Sequence, residues 1–217
     1  MNRISTSILF LYSVFFILSA KAQENWTPKS NPKIEPNFLY ALPYANETKT
    51  KVITENPPSK TINFYTEEPD TIVAIRKGKI IKIIESFANN PKSKNKINEL
   101  LIEHMDGTFA TYQGFRNGIF VKEGKTVYPG TPLAINSVSN EGFSFRLMIN
   151  YLKSDEVVNK RGERIPGAIY GFIEPHFSTK ENANGILTSQ KYYTSAITPE
   201  IIQKEMTKKE IKNLTKK

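Results

Sequence analysis

From Thr61 onward, apolar and polar positions alternate in short runs broken by glycine, proline or lysine-rich stretches. TINFY (61–65), TIVAI (71–75) and KIIKIIES (79–86) are rich in β-branched and aromatic residues. Gly78 stands between the second and third runs, where a tight turn would use a positive φ. INELLIEH (97–104) and TFATYQGF (108–115) read as two strands joined across Asp106-Gly107, a strong hairpin signal. That join puts His104 at a strand end beside a turn. GIFVKEGKTVYPGTPLAI (118–135), with turn glycines Gly124 and Gly130, and GFSFRLMINYL (142–152) continue the pattern. Many short period-two runs predict an all-β fold, a small antiparallel sandwich or barrel.

The flanks follow other rules. Residues 23–58 carry Pro28, Pro32, Pro36 and Pro43 and then Asn56-Pro57-Pro58, which disfavour helix and predict an extended strap. Trp26, Phe38, Leu39 and Tyr44 are its candidate docking residues. Residues 59–158 form the β-domain. Residues 159–197 read as a loop-rich extension, with turn signals in RGER, IPGA and NANG. In residues 198–217, Pro199 suits a first helical position, and Ile201, Ile202, Met206 and Leu214 make a narrow apolar stripe, predicting one short C-terminal helix.

The first 22 residues stand apart. Arg3 precedes an apolar run, ILFLYSVFFIL, too short for a comfortable membrane span, and Ala20-Lys21-Ala22 matches a cleavage site. A secretory signal cut after Ala22 is expected, which places the mature chain in a periplasm or outside the cell, with no stable membrane span. Removing Arg3 and Lys21 takes the formal charge from +9 to +7. A basic exported chain suits anionic wall polymers, whereas export argues against a nucleic-acid partner.

Composition narrows the chemistry. The absence of cysteine excludes thiol nucleophiles, disulfides and Cys-ligated metals, and only two histidines are present. His176, near Glu174, lacks the spacing of a metal motif. Glu67, Glu68 and Asp70 read as a solvated turn. Tyr112, Phe115, Phe143 and Phe145 are candidates for a groove that stacks on sugars or peptides, though alternation must turn some of them inward. Arg146 is a candidate carboxylate holder. His104 is a candidate at the groove rim, but reads first as a strand-end histidine satisfied by a neighbour.

Residues 59–152 resemble the LytM/lysostaphin-type zinc metallopeptidases, which cut peptidoglycan cross-bridges. DTIVAIRKGKIIKI (70–83) looks like the family's GTPV.A...G.V hairpin, and LLIEHMDGTFATYQGF (100–115) looks like vvi.H.dG..T.YaHL. GIFVKEGKTVYPGTPLAI looks like v..G..V..Gq.ig, and GFSFRLMI falls where the family has HLHFEv. The resemblance implies a LytM-like β-structure with a duplicated hybrid motif and an open groove. VKEGKTVYPG (121–130) also resembles part of a lipoyl-carrier half-barrel, but no DK hairpin follows to carry a lipoyl group.

Carried over position by position, the family's zinc ligands and catalytic histidines fall at Ser59, Asn63, Gly114, Gly142 and Ser144, and the glutamate after H-x-H at Arg146. None of these types matches the imidazole and carboxylate donors such a zinc requires. The expectation is a non-catalytic member without zinc or another cofactor, binding peptidoglycan or a cell-wall amidase or hydrolase. Two other readings stand beside it: an active zinc endopeptidase with a relocated site, and a purely structural envelope protein.

Overall fold

The structure is a computed structural model that describes residues 38–55, 60–85, 97–116 and 118–214. The expected signal segment, Trp26, Ser59 and the basic stretch 89–96 lie outside the described residues. Fifteen strands are described: β1 (Leu39–Ala41), β2 (Lys49–Thr54), β3 (Ile62–Thr66), β4 (Thr71–Val73), β5 (Gly78–Ile84), β6 (Glu99–Glu103), β7 (Thr108–Gln113), β8 (Thr126–Val127), β9 (Pro132–Ile135), β10 (Ser137–Ser139), β11 (Gly142–Val158), β12 (Arg164–Phe172), β13 (His176–Ser178), β14 (Gly185–Ile186) and β15 (Lys191–Thr194). Two short helices close the chain, α1 (Pro199–Gln203) and α2 (Lys208–Leu214). The fold is all-β.

The large sheet runs β15-β2-β3-β11-β7-β6-β5-β8, with β10 and β12 also paired to β11. β11 is its long central member. Along it, Phe145, Leu147 and Ile149 are buried while Ser144, Arg146, Met148 and Asn150 are half-buried on the other face. This is the period-two pattern of a strand with one face on a core. The inner face packs against the β4–β9 pair and against the buried side chains of residues 40–44, with Phe177 of β13 completing the core. Within the described part of the expected strap, Tyr40, Leu42 and Tyr44 belong to the core, and β1 pairs in parallel with β13, the one departure from an antiparallel arrangement among the described pairings.

Two local expectations are corrected. Gly78 opens β5, and its role is close approach instead of a turn: an added Cβ would sit 2.6 Å from the Glu103 carbonyl oxygen and 2.9 Å from His104 Nδ1. The stretch expected to be loop-rich, 159–197, also holds four strands, β12 to β15. β12 is exposed along most of its length, so burial alternation never marked it in the sequence. The tail forms two helices instead of one. Thr207 starts the second as a capping box: the Glu210 amide donates to Thr207 Oγ1 (3.3 Å) and the Thr207 amide donates to Glu210 Oε2 (2.6 Å).

Candidate functional site

The outer face of the large sheet collects three of the positions singled out in the sequence. Arg146 on β11 is in register with Asn63 on β3 and with Gln113 on β7, and Gln113 is in register with Glu99 on β6. Ser144, two residues earlier on the same face, faces Tyr65 on one side and Ser137 on the other. A polar row therefore crosses the sheet. At one end Asn63 Nδ2 donates to Glu55 Oε1 (3.1 Å) and to the Ile53 carbonyl (3.4 Å). At the other, Gln113 Nε2 donates to Glu99 Oε2 (2.7 Å). Arg146 stands between the two amides, and no hydrogen bond or ion pair joins its guanidinium to the described residues.

The glycines at the remaining positions are held there by backbone geometry. Gly142 has φ +108°, and an added Cβ would lie 2.7 Å from the Thr66 carbonyl oxygen, so no side chain fits without displacing β3. Gly114 follows Gln113 with φ +80°, and its amide donates to the Asn98 carbonyl (3.0 Å). These residues do not fit a zinc ion. The family-matched positions on this face, Asn63, Ser144 and Arg146, offer a neutral amide whose N–H groups are engaged, a hydroxyl and a cation. Among the described residues no group of three or more His, Asp or Glu is placed to hold a metal. His176 Nδ1 instead pairs with Asn184 Oδ1 (2.9 Å). Of the acidic turn residues, Glu67 and Glu68 are exposed and Asp70 Oδ2 accepts from Thr48 Oγ1 (3.0 Å).

The expected groove aromatics are corrected. Tyr112 and Phe115 are buried in the core and do not reach the outer face. Tyr112 stacks on Phe145 and its hydroxyl accepts from the Ile75 amide (3.0 Å). The error is one of parity. In β7 the position facing the same side as Arg146 is 113, not 112, and a one-residue offset moves a side chain to the opposite face. Phe143, half-buried, lies under the Arg116 guanidinium (5.3 Å).

His104 follows the strand-end reading and not the groove-rim one. It is buried, 2% exposed, against Tyr40 and away from the polar row. Its Nδ1 lies 2.8 Å from the Lys77 carbonyl, which can only accept, so Nδ1 carries the proton and Nε2 is left buried without a partner. Burial, with the nearby Arg76 charge, pulls its pKa down to about 4. Neutral His104 thus favours the fold fully above about pH 6.5, and that contribution is lost as pH falls through the folded value. The unfolding free energy should drop between pH 7 and pH 5 by up to about 1.4 kcal/mol per pH unit. His104→Asn, which keeps a donor for the Lys77 carbonyl, should flatten that dependence. An equal slope in the variant would assign it to other groups.

Residue-pattern reading missed the most buried charge. Arg76 is 2% exposed and donates to both oxygens of Glu205 (2.9 and 2.8 Å) and to Asp106 Oδ2 (2.8 Å). The Phe38 ring lies 3.3 Å from the guanidinium carbon. Burial opposes this charge, but the hydrogen bonds and charge of Glu205 outweigh it and raise the Arg76 pKa further. Lys77 Nζ adds bonds to the Glu205 carbonyl (2.9 Å) and Glu210 Oε2 (3.0 Å), so α2 and the link before it are fastened beside the start of β5.

No family model matches the chain, and no curated protein matches it. Solved structures do. A putative peptidase M23 from Pseudomonas aeruginosa is 17% identical with a TM-score of 0.40, over 67% of this chain and 57% of that one. The SpoIIQ–SpoIIIAH pore-forming complex is 15% identical with a TM-score of 0.39, over 60% and 89%. A zinc-containing peptidase from Vibrio cholerae is 15% identical with a TM-score of 0.35, over 62% and 37%. The chain thus spans just over half the length of the first and little over a third of the last.

Proposed function

We propose that this chain is an exported, non-catalytic LytM-type domain that binds the peptide part of peptidoglycan and so docks at the cell wall or on a wall hydrolase working there. It uses no zinc and no other cofactor, and its signal segment is removed after Ala22. The observation that carries this reading is the polar row on the outer face. Where the resemblance puts a metal-binding aspartate, an assisting histidine and the glutamate after H-x-H, Asn63 spends its amide hydrogens on Glu55 and Ile53, Gly142 has no room for a side chain, and Arg146 places a positive charge in register with Asn63. A fixed cation beside the position repels a divalent ion and attracts carboxylates. The basic balance of the mature chain favours approach to an anionic wall.

Co-sedimentation with purified peptidoglycan sacculi tests the reading. At about 0.15 M salt, where diffuse attraction beyond a Debye length of about 8 Å is screened, the exported chain is expected in the pellet. A chain that stays in the supernatant would overturn wall binding.

A further inference from the structure

The polar row has a charge order with chemical content. Read across the sheet it is carboxylate, amide, guanidinium, amide, carboxylate: Glu55, Asn63, Arg146, Gln113, Glu99. Each amide donates its N–H to the outer carboxylate, so the carboxylates are tied away from the centre. The Asn63 and Gln113 amide oxygens take no part in these bonds, and both residues flank Arg146 in register. A planar guanidinium on a strand with its acidic neighbours engaged elsewhere is a receptor for one planar anion. Ser144 and Tyr65, one step along the same face, add hydroxyls.

From this row we infer that Arg146 holds a peptide carboxylate in a bidentate pair, with the Asn63 and Gln113 amide oxygens accepting the N–H groups beside it; the inference rests on the wall-peptide reading above. Charge decides against phosphate. Adjacent strands lie about 4.8 Å apart, so Glu99, two strands away, stands about 10 Å from the guanidinium strand. A dianion there would meet repulsion from both ends of the row, whereas a monoanionic carboxylate is matched one to one by the cation. The amide oxygens also favour a ligand that brings N–H donors with its charge, as a peptide does and a phosphodiester does not.

The test uses the exported full chain and a soluble muramyl-peptide fragment in two forms, with free carboxylates and with the same carboxylates amidated. Calorimetric titration is run on wild type, Arg146→Met and Arg146→Lys, with thermal unfolding to check that each variant is folded. Hydrogen bonds to a charged group of this kind correspond to about 10- to 100-fold in affinity. The free-acid fragment is expected to bind wild type and to lose about that factor in Arg146→Met, with partial retention in Arg146→Lys, which keeps charge but not the fork. Amidation should cost wild type the same factor and cost Arg146→Met nothing more. If amidation and Arg146→Met both leave affinity unchanged while the chain still sediments with sacculi, the carboxylate assignment is wrong and the wall-binding reading stands. If wild type binds neither fragment nor sacculi, both are wrong. The ligand-side arm decides the matter even where a variant fails to fold.

Discussion

Replacing Arg76 with methionine is expected to cost the fold about 3–5 kcal/mol, read as a fall in the urea midpoint at unchanged slope. The substitution strands two carboxylates. Glu205 and Asp106 have side chains only 10% exposed, and each bonds directly to the guanidinium. Removing one partner of a buried ion pair leaves desolvated charge with no compensation, which is costlier than never burying the pair. Adding Glu205→Leu to Arg76→Met should therefore recover part of the loss. The same variant should free the C-terminal segment, since Arg76 holds Glu205 between α1 and α2. Limited proteolysis is expected to cleave after Lys204 or Lys208 in Arg76→Met at a protease concentration that spares wild type. If the variant unfolds at the wild-type midpoint, the buried cluster is not what fastens the tail.

Truncating Phe145 to alanine is expected to cost a comparable amount, about 3–5 kcal/mol. Phe145 occupies the centre of the inner face. It stacks on Phe64 (5.5 Å between centroids) and on Tyr112 (6.0 Å), and meets Tyr44 edge-on (5.8 Å). The three partners come from β3, β7 and the segment before β2, so collapse into the vacated space would require movement of several elements at once. Incomplete collapse leaves a cavity, which adds to the lost transfer energy. Phe145→Leu should cost clearly less, since it retains most of the volume. Equal losses for alanine and leucine would instead mean that ring stacking, more than filled volume, holds this part of the core.

Much of the sheet was legible because its signals are local. The Asp106-Gly107 hairpin needs only a positive φ at Gly107, which is +77°, and period-two burial around it. The alternation in GFSFRLMI marks a strand, and Phe145, a groove candidate by residue type, sits with Leu147 on the buried face opposite Ser144 and Arg146. What failed depends on distant neighbours. Composition alone does not separate Tyr112 from Gln113, because the face of β7 is set by its register against β11. Arg76 is buried only because Glu205, 129 residues later, returns to meet it. β12 carries Pro166, Gly167 and Gly171 and stays largely exposed, so nothing in its own sequence marks it as a strand; pairing with β11 does. At the site, Asn63 and Arg146 were legible as residues, but the polar row required cross-strand register to appear.

The central claim is that this domain holds peptidoglycan peptides without cutting them. The most direct measurement is release of soluble muropeptides from purified sacculi incubated with the exported chain and added zinc, quantified by chromatography. Release at the level of a protein-free blank is the predicted result. Release above that blank, abolished by a chelator, would contradict the claim and return the domain to the hydrolases.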